Sequence, residues 1–439
     1  MKKKGFLGVT LLTCLVLTSA CGNNDSGADS SATGSEGESN ETVNLRMVWW
    51  GNKEVHDRTQ KVVELFEEAH PNIKVSTEFT GWGGYWDKLA TQAAGQNLPD
   101  VVNMDLQYFA EYTNRGLLAD LTPFTEQGIL NFDDVDPALL EGGMVDGKLY
   151  AVSQGTNSYA MTYDPAMLEE AGVADFGPGY TWEQLGAIGE QVKAHYGSGT
   201  YVTVPQDLPA FGFYLRQHGA WIYNEAGDGL GYEGDQYLID FLTMVDELRK
   251  ADLTPPPDVV NSVQGLEDQL IVHKKSPFQP LTSNEFVAIA QAADRPLELT
   301  IFPSLEGGEP GQYLRPGQFY AVSANSEHPE EAAMLVDFFT NSEAAHEVLM
   351  GIYGVPISSK ILSHITPLVD ENTRKTFDYI ELAKDYAGPM SPPDPKRQGE
   401  VVTAYESIQE EVSFGVTTPE EGAKRFRAEA EAVLSRNAQ

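Results

Sequence analysis

Between Val43 and Met104 short apolar runs alternate with amphipathic ones, and this order constrains the fold more than any other feature. Val43, Leu45, Met47 and Trp49 alternate with Asn44, Arg46 and Val48, the two-residue period of a strand. Gly51-Asn52-Lys53 breaks it. Val62, Val63, Leu65, Phe66 and Ala69 then recur at helical spacing, and Pro71 stops the helix. A second strand is predicted over Ile73–Phe79, a helix from about Tyr85 to Ala94, and a short apolar strand at Val101–Met104. Strand, helix, strand, helix, strand predicts an α/β fold with a parallel sheet covered by helices. About 400 residues follow Thr42, too many for one hydrophobic core, so two lobes are expected.

The N-terminus reads differently. Lys2, Lys3 and Lys4 precede an apolar run, Gly5 to Thr18, too short for a bilayer span of about 20 residues. Ser19-Ala20-Cys21 follows. This is a secretion signal rather than a fold element. It resembles a bacterial lipoprotein signal, which makes residues 1–20 the signal and Cys21 the lipidated residue. Thr18 stands where that pattern favours leucine. The alternative is ordinary cleavage near Ala20, with Cys21 a free thiol. Residues 21–42 have no large apolar side chain to bury and are expected to form a disordered tether spanning roughly 25 Å.

Composition removes several function classes. The only other cysteine, Cys14, leaves with the signal, so no disulfide and no thiolate metal site is expected. The net charge of −36 argues against nucleic acid as a partner. Gly142-x4-Gly147-Lys148 falls short of a phosphate loop, because Leu149 replaces the metal-binding hydroxyl and opens a strand. His346-Glu347 opens a zinc-protease pattern, but Met350 fills the second histidine position. Asn224 to Gly229 resembles a calcium loop without its terminal glutamate. Thr181-Trp182-Glu183-Gln184 and Thr418-Pro419-Glu420-Glu421 both read as helix capping boxes. No metal, cofactor or catalytic group is expected. Two carboxylates suffice for glycoside hydrolysis, so a surface glycoside hydrolase or lyase is the enzymatic alternative. A binding protein for a non-sugar solute is a third reading.

Motifs in a fixed order carry a resemblance. They are Trp49-Trp50-Gly51, Leu98-Pro99-Asp100-Val101-Val102 with Asp105 and Tyr108, Leu121-Thr122-Pro123, Asp146-Gly147-Lys148-Leu149-Tyr150-Ala151-Val152, Tyr163-Asp164, Pro329-Glu330-Glu331-Ala332-Ala333 and Gly354-Val355-Pro356-Ile357. Together they resemble the family 1 extracellular solute-binding proteins of sugar ABC importers. The resemblance implies a two-lobed, periplasmic-binding-protein-like α/β fold with a ligand cleft between lobes and a hinge crossed three times. The lobes would be 43–156 plus 319–353 and 157–318 plus 354–439. It also implies a monomeric, membrane-anchored protein outside a Gram-positive cell that delivers an oligosaccharide to a permease. Trp49-Trp50-Gly51 with His56-Asp57, Trp82, Tyr85-Trp86 and Pro392-Pro393-Asp394-Pro395 looks like the branch linked to uptake of pectin fragments such as rhamnogalacturonan oligosaccharides. Lys396-Arg397 departs from that branch.

A pyranose has an apolar C–H face and a rim of hydroxyls, so its site needs rings and a few placed polar groups. Ligands of α/β sheets sit beyond the carboxyl ends of strands. Those ends supply Trp50 and Asn52, then Trp82, then Asp105, Gln107 and Tyr108. His56 either contacts ligand or precedes a helix capped by Asp57. Asp105 either contacts ligand or caps the next helix. Asn157 is expected at the hinge, and Phe211, Phe213, Trp221, Ser283 and Asn284 in the second lobe. Trp49 and Trp86 read as core. A uronic acid would need a local cation, for which Arg315, Arg397 and Lys53 are candidates.

Overall fold

The computed structural model describes residues 42–438, apart from Asp175, Pro393 and Lys396. The signal at 1–20, Cys21 and the tether up to residue 41 lie outside the described residues. Strand β1 (Val43–Trp50) leads through α1 (Lys53–Ala69) to β2 (Ile73–Thr80), then through α2 (Trp82–Ala94) to β3 (Val101–Met104) and α3 (Leu106–Asn114). β1 pairs in parallel with both β2 and β3. The predicted order is therefore present, with α2 beginning three residues earlier than the periodicity suggested.

A hairpin of β4 (Met144–Val145) and β5 (Lys148–Leu149) turns at Asp146-Gly147, where both residues have positive φ. Asp-Gly suits that turn, which is why the Gly142–Lys148 stretch forms no phosphate loop. Next come β6 (Ala151–Ser153), β7 (Thr156–Asn157) and β8 (Tyr159–Tyr163), and much later β9 (Phe278–Thr282), β10 (Glu298–Thr300), β11 (Arg315–Pro316) and β12 (Phe319–Val322). The first sheet has the order β2-β1-β3-β12-β6, and β12 runs antiparallel to both neighbours. It is mixed rather than parallel because its fourth strand returns from the second lobe. The second sheet, β10-β8-β9, is antiparallel throughout.

Each lobe has its own core. In the first, Trp49, Phe66, Val101, Tyr320 and the Ala332–Phe339 stripe pack on one sheet face, and Tyr85, Met104, Phe109 and Phe319 on the other. In the second, Phe211, Phe241, Phe278, Tyr405 and Phe426 form one cluster, and Phe286, Ile365 and Phe377 another. The two boxes differ. Thr181 and Gln184 bond reciprocally, whereas Thr418 accepts from the Glu421 N–H without the return bond.

Three chain segments run side by side between the two sheets. β6 and β12 continue as an antiparallel ribbon into β7 and β11, with Arg315 opposite Asn157. Gly317 N–H donates to the Gly155 carbonyl at 2.9 Å, and Val355 exchanges two bonds with Thr156 at 2.7 and 3.0 Å. Glycine is required here by space. A Cβ on Gly155 would meet Gly354 backbone at 2.9 Å, and one on Gly317 would meet the Tyr353 carbonyl at 2.4 Å. Gly354 also has φ +114°, outside the range of L side chains.

Candidate functional site

The carboxyl ends of β1, β2 and β3 deliver an aromatic wall. Trp50 lies 5.2 Å from Trp82, 4.9 Å from Tyr85 and 5.4 Å from Trp86, centroid to centroid. Trp86 stacks on Tyr108 at 3.8 Å. Gly81 occupies the N-cap of α2 without a side-chain bond, leaving Trp82 at the helix start and 44% exposed. A ring held by other rings yet open on one face suits an apolar sugar face. Trp86 is therefore part of this wall rather than wholly core, while Trp49 is fully buried as expected.

The second wall is cationic and phenolic. Arg315, fixed by the β7–β11 ribbon, donates to the Tyr159 hydroxyl at 3.4 Å and has no carboxylate within salt-bridge distance among the described residues. Desolvation pulls its pKa down, but Tyr159, Tyr313, Asp105 and Asp394 together hold it above the ordinary value. Arg216, 4% exposed, is linked to it through the Tyr159 and Tyr313 rings, whose centroids are 6.3 Å apart. Its guanidinium packs over Trp221 and Tyr313 at 4.6 and 4.5 Å. It donates to the carbonyls of Gly311 (2.8 Å) and Pro389 (2.6 Å) and to Ser391 Oγ (3.0 Å). Burial without a carboxylate lowers its pKa to about 10.

Asp105, Asp207 and Asp394 all keep solvent-facing area, yet desolvation raises the pKa of each. Asp105, from the first lobe, and Asp394, near the end of the second, both feel the Arg315 charge. Arg315 thus lies close enough to act on carboxylates from both lobes. Two other depressions lie elsewhere. One of about 320 Å³ includes Leu242, Val260 and Glu410, and one of about 710 Å³ behind the hinge includes Asp134, Thr156 and Lys384.

The predicted residues divide. Trp50, Trp82 and Tyr108 come together in one ring cluster, Arg315 lies near enough to Asp105 to act on its charge, Gln107 is exposed in the first turn of α3, and Asn284 is exposed just after β9. Asp105 is the cap of α3, accepting the Gln107 N–H at 3.0 Å, and lies near enough to Arg315 to feel its charge. Others require correction. Phe211 and Phe213, 0% and 1% exposed, are core residues of the helix Leu208–Gln217 and cannot touch a ligand. Asn157 is buried in the hinge, its amide wedged between Gly317 and Gly354. Asn52 is the N-cap of α1, accepting from Val55 N–H, so Asp57 is not the cap. His56, held by the Trp49 indole N–H at 3.1 Å, lies beside Phe79 rather than in the Trp50–Trp82–Tyr108 cluster. Arg397 pairs with Glu400 at 2.8 Å, and Lys53 with Asp57 on the surface.

Sequence reasoning missed Tyr159, Arg216 and Tyr313. Arg216 had a signal, because it closes the run Phe211–Leu215, where a charge on a buried helix stands out. The two tyrosines had none, since only the ribbon register sets them beside Arg315.

Known proteins can now be compared with this geometry. The chain is 26% identical over 240 residues to the diacetylchitobiose binding protein DasA of Streptomyces coelicolor, covering 54% of this chain and 52% of that one. It spans about half the length of the curated relatives it matches. A family 1 extracellular solute-binding protein from Alicyclobacillus acidocaldarius superposes with TM-score 0.80 at 30% identity, covering 90% of this chain and 99% of that one. A periplasmic oligogalacturonide binding protein from Yersinia enterocolitica shares the fold, with TM-score 0.77, 24% identity, and 90% and 100% coverage. The sequence profile described as bacterial extracellular solute-binding protein matches residues 52–346, well over half of the chain. The chain belongs to that family, and its fold is the two-lobed one of those binding proteins.

Proposed function

We propose that this protein captures an oligosaccharide in the cleft between its lobes and delivers it to an ABC permease without chemical change. The ligand we favour is a pectin-derived oligosaccharide carrying uronic acid. One observation carries this reading: the first lobe carries the Trp50–Trp82–Tyr108 ring cluster, and Arg315, near enough to act on the Asp105 charge, has no carboxylate within salt-bridge distance among the described residues. In a chain of net charge −36, a cation kept clear of a close ion pair suits a ligand carboxylate. The oligogalacturonide-binding and diacetylchitobiose-binding relatives support a saccharide. The proposed lobes are 43–156 plus 319–353 and 157–318 plus 354–439, closing about the glycine-lined hinge.

The test is calorimetry on oligogalacturonides, rhamnogalacturonan fragments and neutral oligosaccharides of matched length. Saturable binding of a uronic-acid series, with neutral chains weaker, supports the reading. Heat from neutral chains alone removes the pectin assignment. One other reading is a hydrolase with two carboxylates, for which Asp105 and Asp394, both near enough to feel the Arg315 charge, are the candidates. Recovery of shortened oligosaccharide after incubation would establish it.

We further propose that the protein is a monomer anchored through Cys21 to the outer face of the cytoplasmic membrane of a Gram-positive cell. Cys21→Ser is then expected to release a binding-competent body into the medium. Retention of that variant in the membrane fraction at high salt would point to another anchor.

A further inference from the structure

We infer that the site extends past Trp82 onto a second aromatic ledge, Phe79 with His56, which receives an outer unit of a longer oligosaccharide. The inference rests on the saccharide reading above and adds ligand length to it.

The ledge follows from the paired tryptophans that end β1. Consecutive strand residues point to opposite faces. Trp50 backs Trp82 on the α2 side. Trp49 backs Phe79 on the α1 side, stacked at 5.2 Å and 28°. One strand end therefore supports two open rings, one on each side of the sheet, along the same carboxyl edge.

Phe79 is 40% exposed at the end of the edge strand β2, while the Trp49 beneath it is fully buried. A single exposed phenylalanine is ordinary. Its neighbour makes it more than that. The His56 ring lies 4.4 Å from Phe79. Because Trp49 Nε1–H donates to His56 Nδ1, the imidazole proton sits on Nε2. His56 Nε2 has no hydrogen-bond partner among the described residues. Burial lowers the His56 pKa despite the Asp57 charge, which favours this neutral tautomer. An open ring beside a free, oriented N–H donor is the pairing that a pyranose face and its hydroxyl rim require. A phenylalanine serving only to cover Trp49 would need no such donor.

Calorimetry of the full protein and its Phe79→Ala variant, with oligogalacturonides of two to six units, tests this. The dimer should bind both proteins equally, and the longest chains should bind the variant about tenfold more weakly. In the unmodified protein the His56 Cε1–H resonance should shift with long chains and not with the dimer, a readout that does not depend on the variant folding. An equal loss at every length, no loss at any length, or a His56 shift already complete with the dimer overturns the ledge. Failure of the unmodified protein to bind any oligogalacturonide overturns the uronic-acid reading, and the same comparison with the neutral chains that do bind then decides the ledge.

Discussion

The two walls of the cleft are built by opposite means. The first-lobe wall is a stack of rings, Trp50, Trp82, Trp86 and Tyr108, each supported by its neighbours. The second-lobe wall is a pair of arginines held by carbonyls and phenols, Arg216 and Arg315. Rings need only packing to stay in place, so they come from consecutive strand ends and a helix start. A desolvated guanidinium needs acceptors from several directions, and Arg216 takes them from segments as far apart as Gly311 and Pro389. The first wall can therefore be assembled locally, whereas the second exists only once distant chain has converged.

This contrast can be tested from its strongest consequence downward. Arg216→Ala should remove about 3–5 kcal/mol of stability, because it leaves buried carbonyls without a donor and opens a cavity. Urea unfolding monitors it, and a loss under 1 kcal/mol would mean the carbonyls find water. Arg216→Lys should rescue little, since an ammonium lacks the guanidinium fork.

Arg315→Gln should weaken binding of an acidic oligosaccharide by about 2–5 kcal/mol and flatten its salt dependence. If affinity falls while the salt dependence survives, another cation reads the carboxylate. Trp82→Ala should cost about 1–3 kcal/mol of binding at every salt concentration, with the fold intact. A salt-dependent loss there would erase the distinction between the walls.

The smallest effect concerns stability alone. Desolvation raises the Asp105 pKa in the folded protein, more than the Gln107 N–H and Arg315 lower it. A carboxyl with a raised folded pKa favours folding when protonated and loses that contribution as pH rises through the folded value. Asp105→Asn keeps the cap on α3 and removes the charge, so it should raise Tm slightly at pH 7. The gain should vanish below the ordinary carboxylate pKa, near pH 3, and a gain of equal size there would assign it to something other than ionisation.

Local reading went furthest where local physics decides. The alternation over Val43–Trp49 and the stripe from Ala332 to Phe339 define faces by period alone, and both faces are buried as read. Asp105 could be identified as a strand-end polar group. Its second role, near Arg315, could not be seen without the other lobe. Phe211 and Phe213 show the converse. Aromatic residues in the second lobe looked suited to a sugar, but the two sit on a helix that is apolar from Leu208 to Leu215 and buried on nearly every side. Phe79 escaped notice because its strand period assigns it a face without saying whether that face is covered.

The sequence by itself determined the strand–helix order, the ring-bearing strand ends and the family motifs, since each depends on neighbours a few residues apart. Only the tertiary structure decided which charge stands free. Arg315, Arg397 and Lys53 are alike as residues, but Glu400 lies three positions from Arg397 and Asp57 four from Lys53, within reach along one helix. Arg315 lies on a hinge ribbon whose register sets it between tyrosines and beyond salt-bridge reach of a carboxylate among the described residues. That placement follows from the antiparallel pairing of Arg315 with Asn157, more than a hundred and fifty residues away in the chain, which no local pattern encodes.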